Sequence, residues 1–206
     1  MSRPVLDVRH ARYARTALAA GLVAVVAADD AFIARVDLPV PLLGPADWVG
    51  HLATTGVALL AMAPRPWRRH ARMLATVAVA SVAIDVDHIP LYLHLVSGVD
   101  GGRPVTHSLV TPALLVAAGL AWPRRRRLLL AAAAGVGLHF VRDIATGPGL
   151  SLLAPFSDAR TLLPWASYAA VLVALVAVVA LRDLRTRVAP VLRLVDGGAE
   201  RVTAAD

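Results

Sequence analysis

Residues 128–143 read LLLAAAAGVGLHFVRD, an apolar run that ends in a histidine, an arginine and an aspartate. A helix needs roughly 20 residues to cross the hydrocarbon core of a bilayer. This run reaches that length only if His139 and Asp143 are drawn into the membrane or close to it. Ionisable groups are costly there and usually mark function.

Short apolar runs of this kind recur along the 206 residues, which are 58% hydrophobic with a mean hydropathy of +0.66. This composition excludes an ordinary soluble domain and indicates a membrane protein. The six runs are Thr16–Ala28, Trp48–Ala63, Met73–Ile84, Thr106–Trp122, Leu128–Val141 and Thr161–Leu181. They predict an all-α, polytopic membrane bundle of about six transmembrane helices, forming a single domain over residues 1–190 with a tail at 191–206.

All 21 basic residues are arginines. Seventeen of them lie in every second connecting segment: before the first run, between the second and third, between the fourth and fifth, and after the sixth. The opposite segments hold only four: Arg35, Arg103, Arg142 and Arg160. The positive-inside rule therefore predicts cytoplasmic termini and a cytoplasmic tail in the inner membrane. Solvated loops then explain the net charge of +7, and membrane lipids, not nucleic acid, are the predicted partners.

The first run also fits a cleaved signal peptide, because basic residues precede it and small residues end it. An uncleaved span agrees better with the alternating charge, and we expect the run to be retained. Asp29 and Asp30 follow it directly. They could contribute to a site or end the first helix at the membrane interface, and the interface is narrowly favoured.

Histidine and aspartate gather on the side of the membrane opposite the arginine clusters. Cysteine is absent, which excludes disulfides and thiolate ligands. The ionisable residues on that side are His51, His88, His94, His107, His139, Asp29, Asp30, Asp37, Asp47, Asp85, Asp87, Asp100, Asp143 and Asp158. Four helix ends thus bring His or Asp to one depth, which predicts a metal site.

Two motifs carry most of this prediction. His139 and Asp143 are four residues apart, so they share a helical face and can bind one metal, or the carboxylate can orient the imidazole. Asp85, Asp87 and His88 form D-x-D-H, and Pro90 suggests that the helix ends nearby. Either motif alone also fits a surface hydrogen bond or a solvated helix end.

The remaining histidines differ in how well the sequence supports them as metal ligands. His107 lies between Thr106, a plausible helix N-cap, and Ser108. His51 lies near the start of the second run, after Asp47. The prediction that it binds a metal depends on the other His/Asp clusters. His94 has the weakest case, and His10 and His70 lie in arginine clusters where a solvated surface is favoured.

The combined pattern resembles the YdjM-type family of bacterial membrane-bound metal-dependent hydrolases. The resemblance covers roughly residues 47–158, through His51, the D-x-D-H motif, R-P-V-T-H-S at 103–108, H-F-V-R-D at 139–143 and the Gly- and Pro-rich segment that follows. Two departures are a helix before the matched region and Pro104 where glycine is expected. The H-x-x-x-D element is also similar to that of zinc-dependent phospholipase C and nuclease P1 enzymes, which suggests phosphoester hydrolysis.

The predicted site therefore holds a divalent metal, with zinc as first choice and Mn or Fe as alternatives. Its predicted ligands are His51, Asp85, Asp87, His88, His107, His139 and Asp143. The metal would activate a water, with Asp87 or Asp143 as general base, and Arg103 and Arg142 would hold an anionic group.

The predicted reaction is hydrolysis of a phosphoester or ester of a lipid or lipid-linked substrate at the extracytoplasmic face. A lipid amidase, similar to ceramidase-type membrane zinc hydrolases, is a variant of this class. The alternatives are a divalent-metal-binding or transport protein without hydrolytic activity, and a structural membrane protein whose His and Asp side chains do not converge.

The division of arginines yields a topology that reporter fusions can test. Fusions after Arg69 and Arg126 should report the cytoplasm, and fusions after Arg103 and Asp158 should report the opposite side. Finding Arg103 on the cytoplasmic side would contradict both the topology and the outward-facing site.

Overall fold

The computed structural model describes residues 14–64, 66–93, 95 and 103–203, and over these ranges it is helical and contains no β-strand. Most of each apolar run lies within one helix. The helices are α1 (Ala14–Ile33), α2 (Val40–Met62), α3 (Ala71–Ala83), α4 (Val110–Ala121), α5 (Arg126–Asp143) and α6 (Trp165–Thr203). The predicted all-α class is therefore confirmed.

Three segments of the described chain are long and apolar enough to cross a membrane: Ala14–Ile33, Trp67–Leu91 and Trp165–Arg185. The second of them extends α3 through a 3₁₀ turn, Ile84–Asp87, into a short helix, His88–Tyr92. The six-span topology with cytoplasmic termini stays a prediction, because these lengths and compositions identify only three candidate spans.

One helix start differs from the predicted one. Thr106 is not an N-cap, since α4 begins at Val110, with Leu109 in the N-cap position and no side-chain cap. Pro90 lies in the first turn of the short helix, where its missing N–H costs little, and that helix ends two residues later at Tyr92, close to Pro90 as predicted. The domain boundary at residue 190 stays a prediction.

Helix α2 lies at the centre of the bundle, where it packs against α1, α3, α5 and α6. One core cluster joins α1, α2 and α6 through Val26, Ala53 and Leu172. A second joins the same three helices through Ala19, Ala61 and Val179. Because four helices pack against α2, polar side chains on its inner faces contact protein on several sides.

The arginine-rich end of the bundle is distinct from the end that carries the site. Arg15 donates to the carbonyl oxygen of Leu60 at 2.8 Å, and Arg182 donates to those of Ala61 and Ala63. These guanidinium groups satisfy carbonyls at the end of α2 that lack helical partners and suit the negative end of its dipole. His51 lies ten residues before Ala61, about 15 Å along the helix.

Helices α3 and α5 approach each other closely at Gly135. A Cβ atom there would contact the carbonyl oxygen of Val77 and lie 2.8 Å from the Cβ of Ala80. Gly137, two residues along the same helix, has no such neighbour within 4 Å. The close contact between the helices therefore requires glycine at position 135 but not at position 137.

We expect Gly135→Ala to destabilise the bundle by about 1–3 kcal/mol, because the added methyl group overpacks a helix contact that cannot yield cheaply. Thermal unfolding of the purified protein in detergent measures the effect. Gly137→Ala is the matched control and should be neutral or slightly stabilising. Equal unfolding midpoints for the two variants would contradict the close contact.

Candidate metal centre

Four side chains from three parts of the chain meet in the interior, and we call them the tetrad: Asp85, His107, His139 and Asp143. The Nε2 atoms of His107 and His139 are 3.2 Å apart. Oδ1 of Asp85 lies 3.3 Å from the first and 3.4 Å from the second. Oδ2 of Asp143 lies 3.0 Å from Nε2 of His139 and 3.9 Å from that of His107.

The other nitrogen of each tetrad imidazole is already occupied. Nδ1 of His139 contacts the carbonyl oxygen of Ser81 at 2.9 Å, and a carbonyl can only accept, so this nitrogen carries the proton. Nδ1 of His107 lies 2.9 Å from the carboxylate of Asp87 and donates to it. In neutral rings both Nε2 atoms are then unprotonated, and they cannot hydrogen-bond to each other.

The tetrad carboxylates are held by donors of their own. Trp48 donates from Nε1 to Oδ2 of Asp85 at 2.9 Å, which leaves Oδ1 directed at the two imidazoles. Arg103 donates to Oδ2 of Asp143 at 2.5 Å. Second contacts of this kind orient ligands around a metal in known sites.

The arrangement fits a bound divalent cation. The lone pairs of the two Nε2 atoms converge with one oxygen each from Asp85 and Asp143. When the imidazoles are neutral, none of these four atoms carries a proton. Tetrahedral zinc with bonds of about 2.0–2.1 Å separates its ligand atoms by about 3.3 Å, which is close to the observed spacings. The groups that could hold a metal are His51–Asp85–His139, Asp85–His88–His107, His107–His139–Asp143 and Asp47–His51–Asp143.

Asp87 lies beside the tetrad rather than within it. Its carboxylate accepts hydrogen bonds from Thr106 and His107, and its Oδ1 lies 3.0 Å from Nδ1 of His88. A metal role and a general-base role were predicted for it. Both stay predictions, and these contacts favour orientation of His107 and His88 instead.

His51 forms a second layer next to the tetrad. Its ring is fully buried and stacks on His139, with ring centroids 3.8 Å apart. Nε2 of His51 lies 3.1 Å from Oδ2 of Asp47 and 3.4 Å from Oδ1 of Asp143. Asp47 was not among the predicted ligands, although its four-residue spacing from His51 matches that of His139 and Asp143.

Arg142 is almost fully buried and is surrounded by three carboxylates, a group that we call the arginine cluster. It donates to Asp29 at 3.1 Å, to Asp30 at 2.7 Å and to Asp47. Trp165 adds a hydrogen bond to Asp30 at 2.8 Å. These contacts favour a contribution of Asp29 and Asp30 to the site over simple helix termination. They also occupy the guanidinium that was predicted to hold an anionic group, so that role of Arg142 stays untested.

A cavity of about 920 Å³ adjoins the tetrad. Its polar side includes Asp85, His88, Arg103 and Asp143. Its apolar wall comes from several helices and loops: Ile33, Leu43, Pro45, Trp48, Val86, Ile89 and Trp165. The side chain of Arg103 is 15% exposed, so it remains accessible from the cavity while it contacts Asp143.

All seven predicted metal ligands therefore lie within one connected cluster at one end of the bundle. His70 lies at the opposite end, before α3, and Asp37 and Asp158 are exposed. His10, His94 and Asp100 fall outside the described residues. Trp48, which donates to Asp85, was not predicted from the sequence, because a single tryptophan one residue after Asp47 gives no periodic signal.

Fold and site together define an all-helical protein that has three segments apolar and long enough to cross a membrane and a buried His/Asp group that could hold a metal ion. The YdjM inner membrane protein family matches residues 47–198, about three quarters of the chain, and the chain belongs to this family. The match begins where the resemblance began and extends past residue 158. No curated protein matches the chain. No solved structure matches it.

We expect Arg142→Ala to destabilise the protein by about 3–5 kcal/mol, because it leaves Asp29, Asp30 and Asp47 without their buried cation. Thermal unfolding in detergent at neutral pH measures the loss. Arg160→Ala, which removes an exposed arginine, is the control and should change stability little. Similar unfolding midpoints for both variants would show that the cluster contributes no such energy.

Proposed function

We propose that the protein is a membrane-bound, metal-dependent hydrolase that acts on a phosphoester or ester of a lipid or lipid-linked substrate. The observation that carries the proposal is the pair of facing Nε2 atoms in His107 and His139, beside a cavity that contains Arg103. The donor set of imidazole and carboxylate, without thiolate, suits zinc first and Mn or Fe as alternatives.

A single proton on one imidazole would explain fewer of the tetrad contacts than a divalent cation would. Protonation of one imidazole would join the two Nε2 atoms by a hydrogen bond. That single N–H can donate fully to only one acceptor, so it cannot pair with the other Nε2 atom and with the oxygens of Asp85 and Asp143, each within 3.5 Å of Nε2 of His139. A cation attracts all four atoms at once.

When bound in such a site, a divalent cation lowers the pKa of water and polarises a phosphoryl or carbonyl oxygen. Ser81 and Asp87 fix the proton positions of the two imidazoles, and Trp48 orients Asp85. Because Arg103 already compensates the charge of Asp143, that carboxylate is a weak base and serves better as a ligand.

His88 is the better candidate for proton transfer. It lines the cavity, and its side chain is 12% exposed. Its Nδ1 lies 3.0 Å from Oδ1 of Asp87, and imidazole is the side chain most often used for proton transfer near neutral pH. Its part in the candidate group with Asp85 and His107 makes the alternative, metal ligation by His88, directly testable.

The cavity supports an amphiphilic substrate. Arg103 supplies a guanidinium that can bind phosphate oxygens through two hydrogen bonds. The apolar wall, including Trp48, Ile89 and Trp165, suits hydrocarbon next to that headgroup. This pairing of Arg103 with apolar surface favours a lipid phosphoester over a water-soluble anion.

The extracytoplasmic position of the site belongs to the same proposal. Arg15 and Arg182 lie at the end of α2 opposite His51. Positive residues are enriched on the cytoplasmic side, so the tetrad would face outward and meet headgroups of the outer leaflet.

The transport alternative requires metal ligands at several depths. Within the described residues, all four groups that could hold a metal overlap around the tetrad. None lies near Arg15 and Arg182, which gives no support for a path across the bundle.

Metal content and turnover of purified variants test the proposal together. His107→Ala and His139→Ala should lose at least one equivalent of metal, while His70→Ala, at the opposite end, should match wild type. With labelled phospholipids and lipid-linked phosphates plus zinc or manganese, Arg103→Ala should lower kcat/KM about 10²-fold or more. His88→Ala should keep its metal and lose about 10²–10⁴-fold in kcat.

Two results would overturn this assignment. Equal metal content in His107→Ala, His139→Ala and His70→Ala would contradict the metal site. Turnover by Asp143→Ala and Arg103→Ala at the wild-type rate would contradict the catalytic arrangement.

A further inference from the structure

We propose that the site holds a second divalent cation, between Asp47, His51 and Asp143, with Asp143 bridging it to the tetrad. The inference rests on the proposed metal-dependent function and adds a second metal position to it. The group Asp47–His51–Asp143 shares only Asp143 with the tetrad, so an ion held by the tetrad leaves Asp47 and His51 without one.

The two oxygens of Asp143 face different partners. Oδ2 contacts Arg103 and the tetrad imidazole of His139, at 2.5 and 3.0 Å. Oδ1 points to the opposite side, where Nε2 of His51 lies 3.4 Å away. A carboxylate whose oxygens address two ligand groups is suited to bridge two cations.

Oδ1 of Asp143 is also an unsatisfied buried atom. The side chain is 1% exposed, and this oxygen has no hydrogen-bond partner. Nε2 of His51 lies closer to Asp47, at 3.1 Å, and a single N–H can donate fully to only one carboxylate. Burial of an unpartnered carboxylate oxygen is costly, and a cation in contact with it removes that cost.

Asp47 is the third member of the group with His51 and Asp143, and it is the most exposed of the three. Its Oδ1 accepts from Arg142, and its Oδ2 faces His51. Its side chain is 33% exposed and lines the cavity, so a cation held here would be reachable from the cavity. The second position would therefore lie between the arginine cluster and the tetrad.

The charge of the whole region favours two cations over one. Six carboxylates gather here, each with at most a third of its side chain exposed: Asp29, Asp30, Asp47, Asp85, Asp87 and Asp143. Arg103 and Arg142 are the guanidinium groups within the cluster. With neutral imidazoles, four negative charges remain. One divalent cation leaves two of them, and two divalent cations leave none.

Manganese loading of the full-length protein in detergent tests the number and proximity of the ions. The protein is stripped with chelator, reloaded with Mn²⁺ and dialysed. Bound metal is then counted by mass spectrometry, and spin coupling is measured by electron paramagnetic resonance. Wild type should hold two Mn²⁺ per chain with an exchange-coupled spectrum. Asp47→Asn, which keeps an oxygen for Arg142, should hold one with the spectrum of isolated Mn²⁺.

Asp37→Asn, the same change at an exposed aspartate, is the control and should retain two coupled ions. One uncoupled Mn²⁺ in both wild type and Asp47→Asn would overturn the second position and leave the tetrad assignment standing. No bound Mn²⁺ in wild type would overturn both. The wild-type stoichiometry and coupling decide the question even if Asp47→Asn does not fold.

Discussion

The Nε2 atoms of His107 and His139 face each other at 3.2 Å in the interior of the bundle. The contact depends on how α3 and α5 pack. Gly135 lies one turn before His139 and allows α5 to approach the backbone of α3, which brings the carbonyl of Ser81 within 2.9 Å of His139. That carbonyl fixes the proton of the imidazole. A helix contact made of small residues thus determines which nitrogen is free to bind a cation.

Consecutive residues of α5 serve two charged groups. Asp143 turns into the tetrad, while Arg142 turns toward Asp29, Asp30 and Asp47. Asp47 and His51 connect the two groups through a contact of 3.1 Å. Since charge inside an apolar bundle is stable only when compensated, the two groups constrain each other's position.

The sequence predicted the parts of the site that depend on local spacing. His139 and Asp143 share a helical face because they are four residues apart, and the D-x-D-H motif lies at a helix exit as expected. Contacts between distant segments were not predictable in this way. Asp87 meets Thr106 and His107 across about 20 positions, and Arg142 meets Asp30 across 112. The start of α4 was also imprecise, because it begins at Val110, four residues after the predicted N-cap Thr106.

The part of the chain that precedes the family match contributes charge rather than tetrad ligands. The match begins at residue 47, whereas Asp29 and Asp30 belong to α1 and contact Arg142. Asp47 alone would make a neutral pair with Arg142. With two more carboxylates from α1, the same group carries an excess of two negative charges next to His51 and Asp143. Negative charge confined near buried ligands raises the attraction for cations, so α1 would increase the affinity of the neighbouring site for metal without touching it.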